Sequence, residues 1–209
     1  DSNNTAVGYN AGAATTTGIQ NTLMGSDAGD ALTDADFNVA IGSFALTGDT
    51  LGSASTAVGR AALAAQNFTT ATTSHNTAMG FNTATQITTG VKNTCIGSQA
   101  GDAITDADGN TALGFDALSA DTLGGNTVAI GNFALALQNL TTATNTYNTA
   151  VGSQAGYNVT TGVQNTFIGG LAADAQTIGA DNVAVGYEAL SAETQSSRNT
   201  AIGRGALKV

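Results

Sequence analysis

The chain has 209 residues and a formal net charge of −10, with 27 Gly, no Pro and no Trp. Its five Lys and Arg residues do not cluster, so it lacks the basic surface that nucleic-acid binding needs, and its acidity disfavours an anionic membrane. No run of 18 apolar residues occurs, so we expect no membrane insertion. Large apolar side chains are scarce once Ala is set aside, which favours a narrow core over a spherical one.

A pattern, Asn-Thr-Ala-aliphatic-Gly, first occurs at residues 4–8 and is found twelve times in all, with substitutions at its first three positions. We call each of the twelve repeating units a coil. The recurring glycines are Gly8, Gly25, Gly42, Gly59, Gly80, Gly97, Gly114, Gly131, Gly152, Gly169, Gly186 and Gly203. Their spacing follows a rhythm of 17, 17, 17 and 21, which then repeats, so that Gly80 and Gly152 each begin a new block equivalent to the one at Gly8. The chain is therefore one repeat domain, 1–209, with blocks at 8–79, 80–151 and a shortened 152–209.

Each coil has an aliphatic residue directly before the glycine and Thr or Val three residues before it. These two positions share one face of a strand, and the exchange of Thr for Val leads us to place that face inside the coil. The position between them is mostly Ala, with Leu23, Cys95 and Phe167 once per block. Since strands that are apolar on both faces are covered on both, we expect a second copy of the chain on the Ala face.

An Asn stands four residues before the glycine in ten of the twelve coils; the exceptions are Ser55 and Thr127. Equivalent residues stacked on one another would make this column a corner ladder, and the glycine column a tight bend that a Cβ would obstruct. No helical periodicity runs through the coils. The sequence therefore predicts an all-β protein, a parallel β-solenoid of about twelve 17-residue coils with a 21-residue coil every fourth.

The second coil of each of the first two blocks contains an acidic turn. These turns contain Asp30, Asp34 and Asp36 in the first block and Asp102, Asp106 and Asp108 in the second. Carboxylates in a short loop suit Ca²⁺, but the glycine comes too early for a calcium-binding loop and no closing Glu follows. We therefore interpret these turns as solvated, with Asp102, Asp106 and Asp108 as weak metal candidates, and expect no cofactor.

The 21-residue coils carry four extra residues within about 64–75 and 136–147. Two interpretations of these segments stay open. They could project as loops that contact a receptor or glycan, through Asn67, Phe68 and Thr69 and through Asn139, Leu140 and Thr141. Alternatively, each could fold back as a bulge that buries Phe68 or Leu140.

Two side chains are candidates for catalytic chemistry. His75 is the single histidine, and nothing in its Thr/Ser-rich surroundings orders a catalytic triad, so a solvated loop residue is expected. Cys95 lies in the column otherwise held mostly by Ala and is expected to be a packed small hydrophobe. We predict no catalytic residues and no enzymatic activity.

The repeated segments resemble a known family. Asn-Thr-Ala-Val-Gly-Tyr-Asn-Ala-Gly at 4–12, with its counterparts at 76–84 and 199–207, is similar to the head repeats of trimeric autotransporter adhesins and to repeat tracts of bacteriophage tail fibres. The resemblance implies a left-handed parallel β-roll, a homotrimer, and surface attachment at the virion or cell surface. The coils are longer than those of the adhesin heads, so an enlarged arc and a three-sided section both stay open.

These observations lead to a main hypothesis and two alternatives. The main one is a structural segment of an extracellular fibre or adhesin that mediates host or surface attachment. The first alternative is a module that binds ice or a glycan lattice through Thr ladders, which requires Thr to face outward. The second is a tail spike that depolymerises a polysaccharide, for which the sequence offers no convincing carboxylate pair.

Overall fold

A computed structural model describes residues 2–208, and these contain strands and turns but no helix. The strands are β1 Thr5–Val7, β2 Thr22–Met24, β3 Val39–Ile41, β4 Gly52–Ser53, β5 Thr56–Val58, β6 Thr72–Thr73, β7 Thr77–Met79, β8 Thr94–Ile96, β9 Thr111–Leu113, β10 Gly124–Gly125, β11 Val128–Ile130, β12 Thr144–Asn145, β13 Thr149–Val151, β14 Thr166–Ile168, β15 Val183–Val185 and β16 Thr200–Ile202. The predicted all-β class is confirmed.

Twelve of these strands, one from each coil, form a single parallel sheet in chain order. Their register places like on like: Ala129 of β11 lies beside Ala112 of β9 and Ala150 of β13. The register continues across the 21-residue coils, because β5 pairs with β7 and β11 with β13. The parallel β-solenoid with its 17/17/17/21 rhythm is therefore confirmed.

The glycine that ends each strand makes the predicted bend. These glycines have φ between +116° and +145°, a region that residues with a Cβ rarely adopt. Space excludes a side chain as well, since a Cβ on Gly59 would lie 2.1 Å from the carbonyl oxygen of Gly80 in the next coil. Backbone is therefore stacked on backbone at this corner.

The Asn column forms the predicted corner ladder. Asn21 Oδ1 accepts the Asn38 backbone N–H at 2.8 Å, and Asn21 Nδ2 donates to the Ala35 carbonyl oxygen at 2.7 Å. The left-handed backbone conformation that Asn tolerates belongs instead to the preceding residue, such as Gln20 with φ 58°. The Asn side chains thus hold successive coils together from inside, where most of them are almost fully buried.

The assignment of the two strand faces was wrong. The middle residue of the strand points into the coil, and Ala40, Ala57, Ala112 and Ala184 are all 0% exposed. The Thr and aliphatic positions on either side of it point outward and are intermediate or exposed. The reason is volume, because the coil interior also receives the residue three positions after the glycine, which is Ala in eleven of the twelve coils, and a column of buried Leu, such as Leu135. Little room remains for a larger strand residue.

Leu23, Cys95 and Phe167 are therefore core residues and not spacers between copies of the chain. Each is at most 1% exposed, and each occurs where the neighbouring coil positions are small. A Cβ on Gly29 would lie 2.8 Å from Leu23 Cδ2, one on Gly101 2.7 Å from Cys95 Sγ, and one on Gly156 2.8 Å from Phe167 Cδ2. The two columns concerned are the middle residue of the strand and the residue four positions after the bend glycine. Large and small residues exchange places between these two columns, so that core volume is conserved.

Candidate functional site

The outward face of the twelve-stranded sheet is a uniform surface that runs through all twelve coils. We call it the outer strip and define it as the first and third residues of the twelve strands. Its members are Thr5, Val7, Thr22, Met24, Val39, Ile41, Thr56, Val58, Thr77, Met79, Thr94, Ile96, Thr111, Leu113, Val128, Ile130, Thr149, Val151, Thr166, Ile168, Val183, Val185, Thr200 and Ile202. All are Thr or aliphatic, so an uncharged strip runs along a molecule of net charge −10.

The aliphatic column of this strip is more exposed than is usual for such residues. Met24 is 44% exposed, Leu113 43% and Ile168 41%, although each is flanked by the strands above and below. At ~4.8 Å per strand, twelve strands extend ~55 Å. Contiguous apolar surface of this kind marks an interaction site in a folded protein.

In four of the twelve coils an aromatic residue directly follows the glycine at the end of the strand: Tyr9, Phe81, Phe115 and Tyr187. Phe81 follows Gly80 and is 50% exposed, with the Arg60 guanidinium 5.5 Å from its ring centroid. In the second block, Phe115 packs edge-to-face on Phe133 with ring centroids 5.4 Å apart. Aromatic residues and Arg are the types enriched at protein interfaces, so these residues, which we call the aromatic flank, also favour an interaction surface.

The 21-residue coils fold back over the rod. Phe68 and Leu140 are each 5% exposed, and their backbone N–H groups donate to Asp49 Oδ1 and Asp121 Oδ1 at 3.0 Å. The interpretation as a bulge that buries Phe68 and Leu140 therefore describes these coils. The other four candidate receptor contacts, Asn67, Thr69, Asn139 and Thr141, have exposed side chains, and receptor binding by them stays a prediction.

A buried polar cluster supports the second long coil. Gln138 Nε2 donates to Asp121 Oδ2 at 2.5 Å and to Thr127 Oγ1 at 3.1 Å, and Gln138 Oε1 accepts from Asn148 Nδ2 at 2.8 Å. Thr127 and Thr146 hydroxyls are 2.6 Å apart. Burial raises the pKa of the Asp121 carboxyl, although four hydrogen bonds act in the opposite direction.

The first long coil has the same cluster, which explains the two exceptions in the Asn column. Gln66 Nε2 bonds Asp49 Oδ2 at 2.6 Å and Ser55 Oγ at 2.8 Å, and the Ser55 and Ser74 hydroxyls are 2.6 Å apart. In an ordinary coil the side-chain amide of the column Asn donates to a backbone carbonyl oxygen 14 residues later. The coils that contain Ser55 and Thr127 have four extra residues, which move that carbonyl oxygen out of place. Ser or Thr with Gln therefore replaces the ladder rung at each long coil.

The three weak metal candidates do not converge. Asp106 accepts hydrogen bonds from Thr88 and Thr89, which hold the pKa of its carboxyl below its ordinary value, and Asp108 Oδ1 accepts the Val91 N–H at 2.7 Å. Asp102 lies apart, and burial raises the pKa of its carboxyl. Within residues 2–208, no three His, Cys, Asp or Glu side chains are grouped to hold a metal ion.

The two residues considered for catalysis lie apart in different environments. His75 is exposed at a turn with φ 53°, next to the buried Ser74 and Asn76. Cys95 is 0% exposed in the core, and burial, followed by the charge of Asp102, raises the pKa of its thiol to about 12. Cys95 is thus a packed small hydrophobe, as expected.

No helix that could cross a membrane occurs in the part of the chain that the structure describes. No family model matches the sequence, and no curated protein and no solved structure matches it. The regularity of the coils and the outer strip are therefore the features from which function must be inferred.

Proposed function

We propose that the chain is a rigid segment of an extracellular fibre or adhesin, at a virion or cell surface, that acts by length and display and not by catalysis. The observation that carries this proposal is the outer strip, which continues unbroken over all twelve coils. Among residues 2–208, the backbone hydrogen bonds between coils join neighbouring coils, so stiffness and stability accumulate along the rod as in other repeat proteins.

In this proposal the outer strip is covered by further copies of the chain, in a homotrimer as the family resemblance implies. A strip ~55 Å long and ~10–15 Å wide offers roughly 550–800 Å² per copy, and the aromatic flank adds to it. Specific interfaces bury about 800 Å² per partner. The absence of charge from the strip supports contact with an identical strip, because no like charges would be brought together.

Solution mass tests the proposal directly. Light scattering or native mass spectrometry should give three times the 20.5 kDa of one chain. Replacing Ile96 and Ile130 together with Asp should convert the trimer to single chains with unchanged circular dichroism, because both side chains point outward. Thr161→Asp, on an exposed turn elsewhere, is the matched control and should leave the trimer intact. A wild-type monomer would contradict the proposal.

A second candidate is a module that binds ice or a glycan lattice through the same strip. The observation that favours it is the outward column of Thr, nine of twelve positions, repeated at the strand spacing. This candidate needs the strip uncovered, so it requires a monomer in solution. Inhibition of ice recrystallisation by that monomer, lost in the Ile96→Asp/Ile130→Asp variant, would support it over the fibre.

A further inference from the structure

A cleft of about 200 Å³ opens beside the second long coil. It lies between the acidic turn that contains Asp106 and Asp108 and the returning arm of the long coil that ends at Asn145. Leu123 and Ala143 supply apolar surface, and Gly125 lies in the wall between the two sides. One side of the cleft is therefore formed by residues 143–145 of the long-coil segment, for which receptor contact was one of the two interpretations of the sequence.

Of the eight residues that line the cleft, six are identical at the equivalent positions of the first block and two differ. Ser53 stands where the second block has Gly125, and Thr73 where it has Asn145. The Ser53 hydroxyl accepts the Asp36 N–H at 3.0 Å and so occupies the corresponding space. A Cβ on Gly125 would lie 3.0 Å from the Asp108 carbonyl oxygen and 3.3 Å from Asn145 Oδ1. The opening thus depends on glycine at 125.

The polar groups of the cleft are held in place by neighbouring coils. Asp106 Oδ1 accepts from the Thr88 and Thr89 hydroxyls, and Asp108 Oδ1 accepts a backbone N–H. Asn145 Oδ1 accepts from Asn126 Nδ2 at 2.8 Å, which orients the amide. Among the described residues, the Oδ2 atoms of Asp106 and Asp108 accept no hydrogen bond. A carboxylate oxygen of this kind can accept a hydrogen bond from a hydroxyl group of a ligand.

We propose that this cleft binds one ring of a neutral carbohydrate, with the Asp106 and Asp108 carboxylates accepting from vicinal hydroxyls and Asn145 donating its amide. The apolar face of the ring would lie against Leu123 and Ala143. The cleft is smaller than the ~300–1,000 Å³ typical of sites for drug-sized ligands, which fits a single ring. The two carboxylates and the net charge of −10 disfavour acidic sugars.

This inference rests on the proposed attachment function, since it names what the rod would attach to. The test uses the full chain in its own oligomeric state on an array of neutral oligosaccharides of glucose, galactose, mannose and N-acetylglucosamine, with sialylated and uronic-acid oligosaccharides beside them. We expect wild-type protein to bind neutral members only. Binding confined to acidic members, or no binding at all, would overturn the inference.

The first block supplies the matched variants. Gly125→Ser/Asn145→Thr gives the eight positions that line the cleft the residues of the first block, so the variant should fold with an unchanged melting temperature and lose binding by at least tenfold. Phe37→Gly/Ser53→Gly/Ala54→Asn/Thr73→Asn also supplies the counterparts of Gly109 and Asn126, so it should keep the original site and add a second one, doubling the number of sugars bound per chain. Undiminished binding by Gly125→Ser/Asn145→Thr would place the sugar elsewhere and refute the cleft.

Two further measurements distinguish a sugar site from a cation site, and failure of the cleft inference from failure of the fibre proposal. Titration with Ca²⁺ alone should produce no heat, and Ca²⁺ binding without sugar binding would make the cleft a cation site, contrary to the inference. A trimer that binds no sugar would overturn the cleft and leave the fibre proposal standing. A monomer that binds sugar, with the binding lost in Gly125→Ser/Asn145→Thr, would support the cleft and overturn the fibre proposal.

Discussion

The two faces of the twelve-stranded sheet are both apolar, yet they obey different constraints. Inside, Ala129 has no exposed surface and belongs to a buried cluster made mostly of Ala and Leu side chains. Outside, Val128 and Ile130 of the same strand lie on a surface where Thr, Val, Ile, Leu and Met exchange from coil to coil. The comparison shows that side-chain volume decides which face is inside, and hydrophobicity does not.

The largest expected effect comes from the bend, where the inner and outer faces meet. Gly114→Ala should lower the free energy of unfolding by roughly 4 kcal/mol or more, because the new Cβ would lie 2.5 Å from the Gly131 carbonyl oxygen and φ is +137°. Gly203→Ala is the matched control: φ is +116°, but no atom lies within 4 Å of its Cβ. Denaturant unfolding should show a clearly smaller loss for Gly203→Ala, and equal losses would contradict a steric cause.

The next effect compares a leucine inside the coil with one outside it. Leu135 is 0% exposed and Leu137, two residues later, is 41% exposed. Leu135→Ala should cost roughly 3 kcal/mol through lost burial and an unfilled cavity, and Leu137→Ala less than about 1 kcal/mol. Thermal or denaturant unfolding of both variants checks this difference. Similar costs would mean that the coil interior is placed incorrectly.

Threonine introduced at adjacent positions compares the two faces most directly. Ala129→Thr should cost roughly 2 kcal/mol, because it adds volume and an unpaired hydroxyl to the core. Val128→Thr should change stability by less than about 0.5 kcal/mol, since Thr already fills nine of the twelve equivalent positions. If Val128→Thr proved the more harmful of the two, the original interpretation of the faces would be restored.

The effect that is smallest at neutral pH concerns the thiol in the core. Because the folded-state pKa of Cys95 is raised from 9.0 to about 12, its contribution to stability is fully present below pH 9 and is lost as the pH rises towards 12. The melting temperature should therefore fall more steeply above pH 9 in the wild type than in Cys95→Ala. Iodoacetamide at pH 8 should label Cys95 only after denaturant is added, and rapid labelling of the folded chain would contradict its burial.

The coil period, the strand positions, the glycine bends and the Asn ladder could all be predicted from the sequence. Each of these features occurs at the same position of successive coils, so the sequence of one chain shows the same pattern up to twelve times. The inward face could not be predicted from the hydrophobicity of the Thr and aliphatic columns, since both faces of these strands carry apolar side chains. The available signal was the reciprocal exchange of large and small residues between Leu23 and Gly29, and between Phe167 and Gly156.

The site was less predictable than the fold. Sequence reasoning selected the long coils and the acidic turns separately, and the structure brings Asp106, Asp108 and Asn145 to one cleft. It gave no weight to the difference between Ser53 and Gly125, because a single missing side chain has no meaning until the neighbouring backbone is known. The buried pair of Asp121 and Gln138 was also missed, although it repeats the pair of Asp49 and Gln66 at the equivalent positions of the first block.

The long coil shows how such a molecule can change its size. Its four extra residues come together with Asp121, Thr127, Gln138 and Thr146, which replace one rung of the Asn ladder by a closed set of hydrogen bonds. An insertion without those partners would leave buried polar groups unpaired. Duplication of an entire four-coil block leaves every residue with its former neighbours, so growth by whole blocks is structurally neutral while growth by single residues is not.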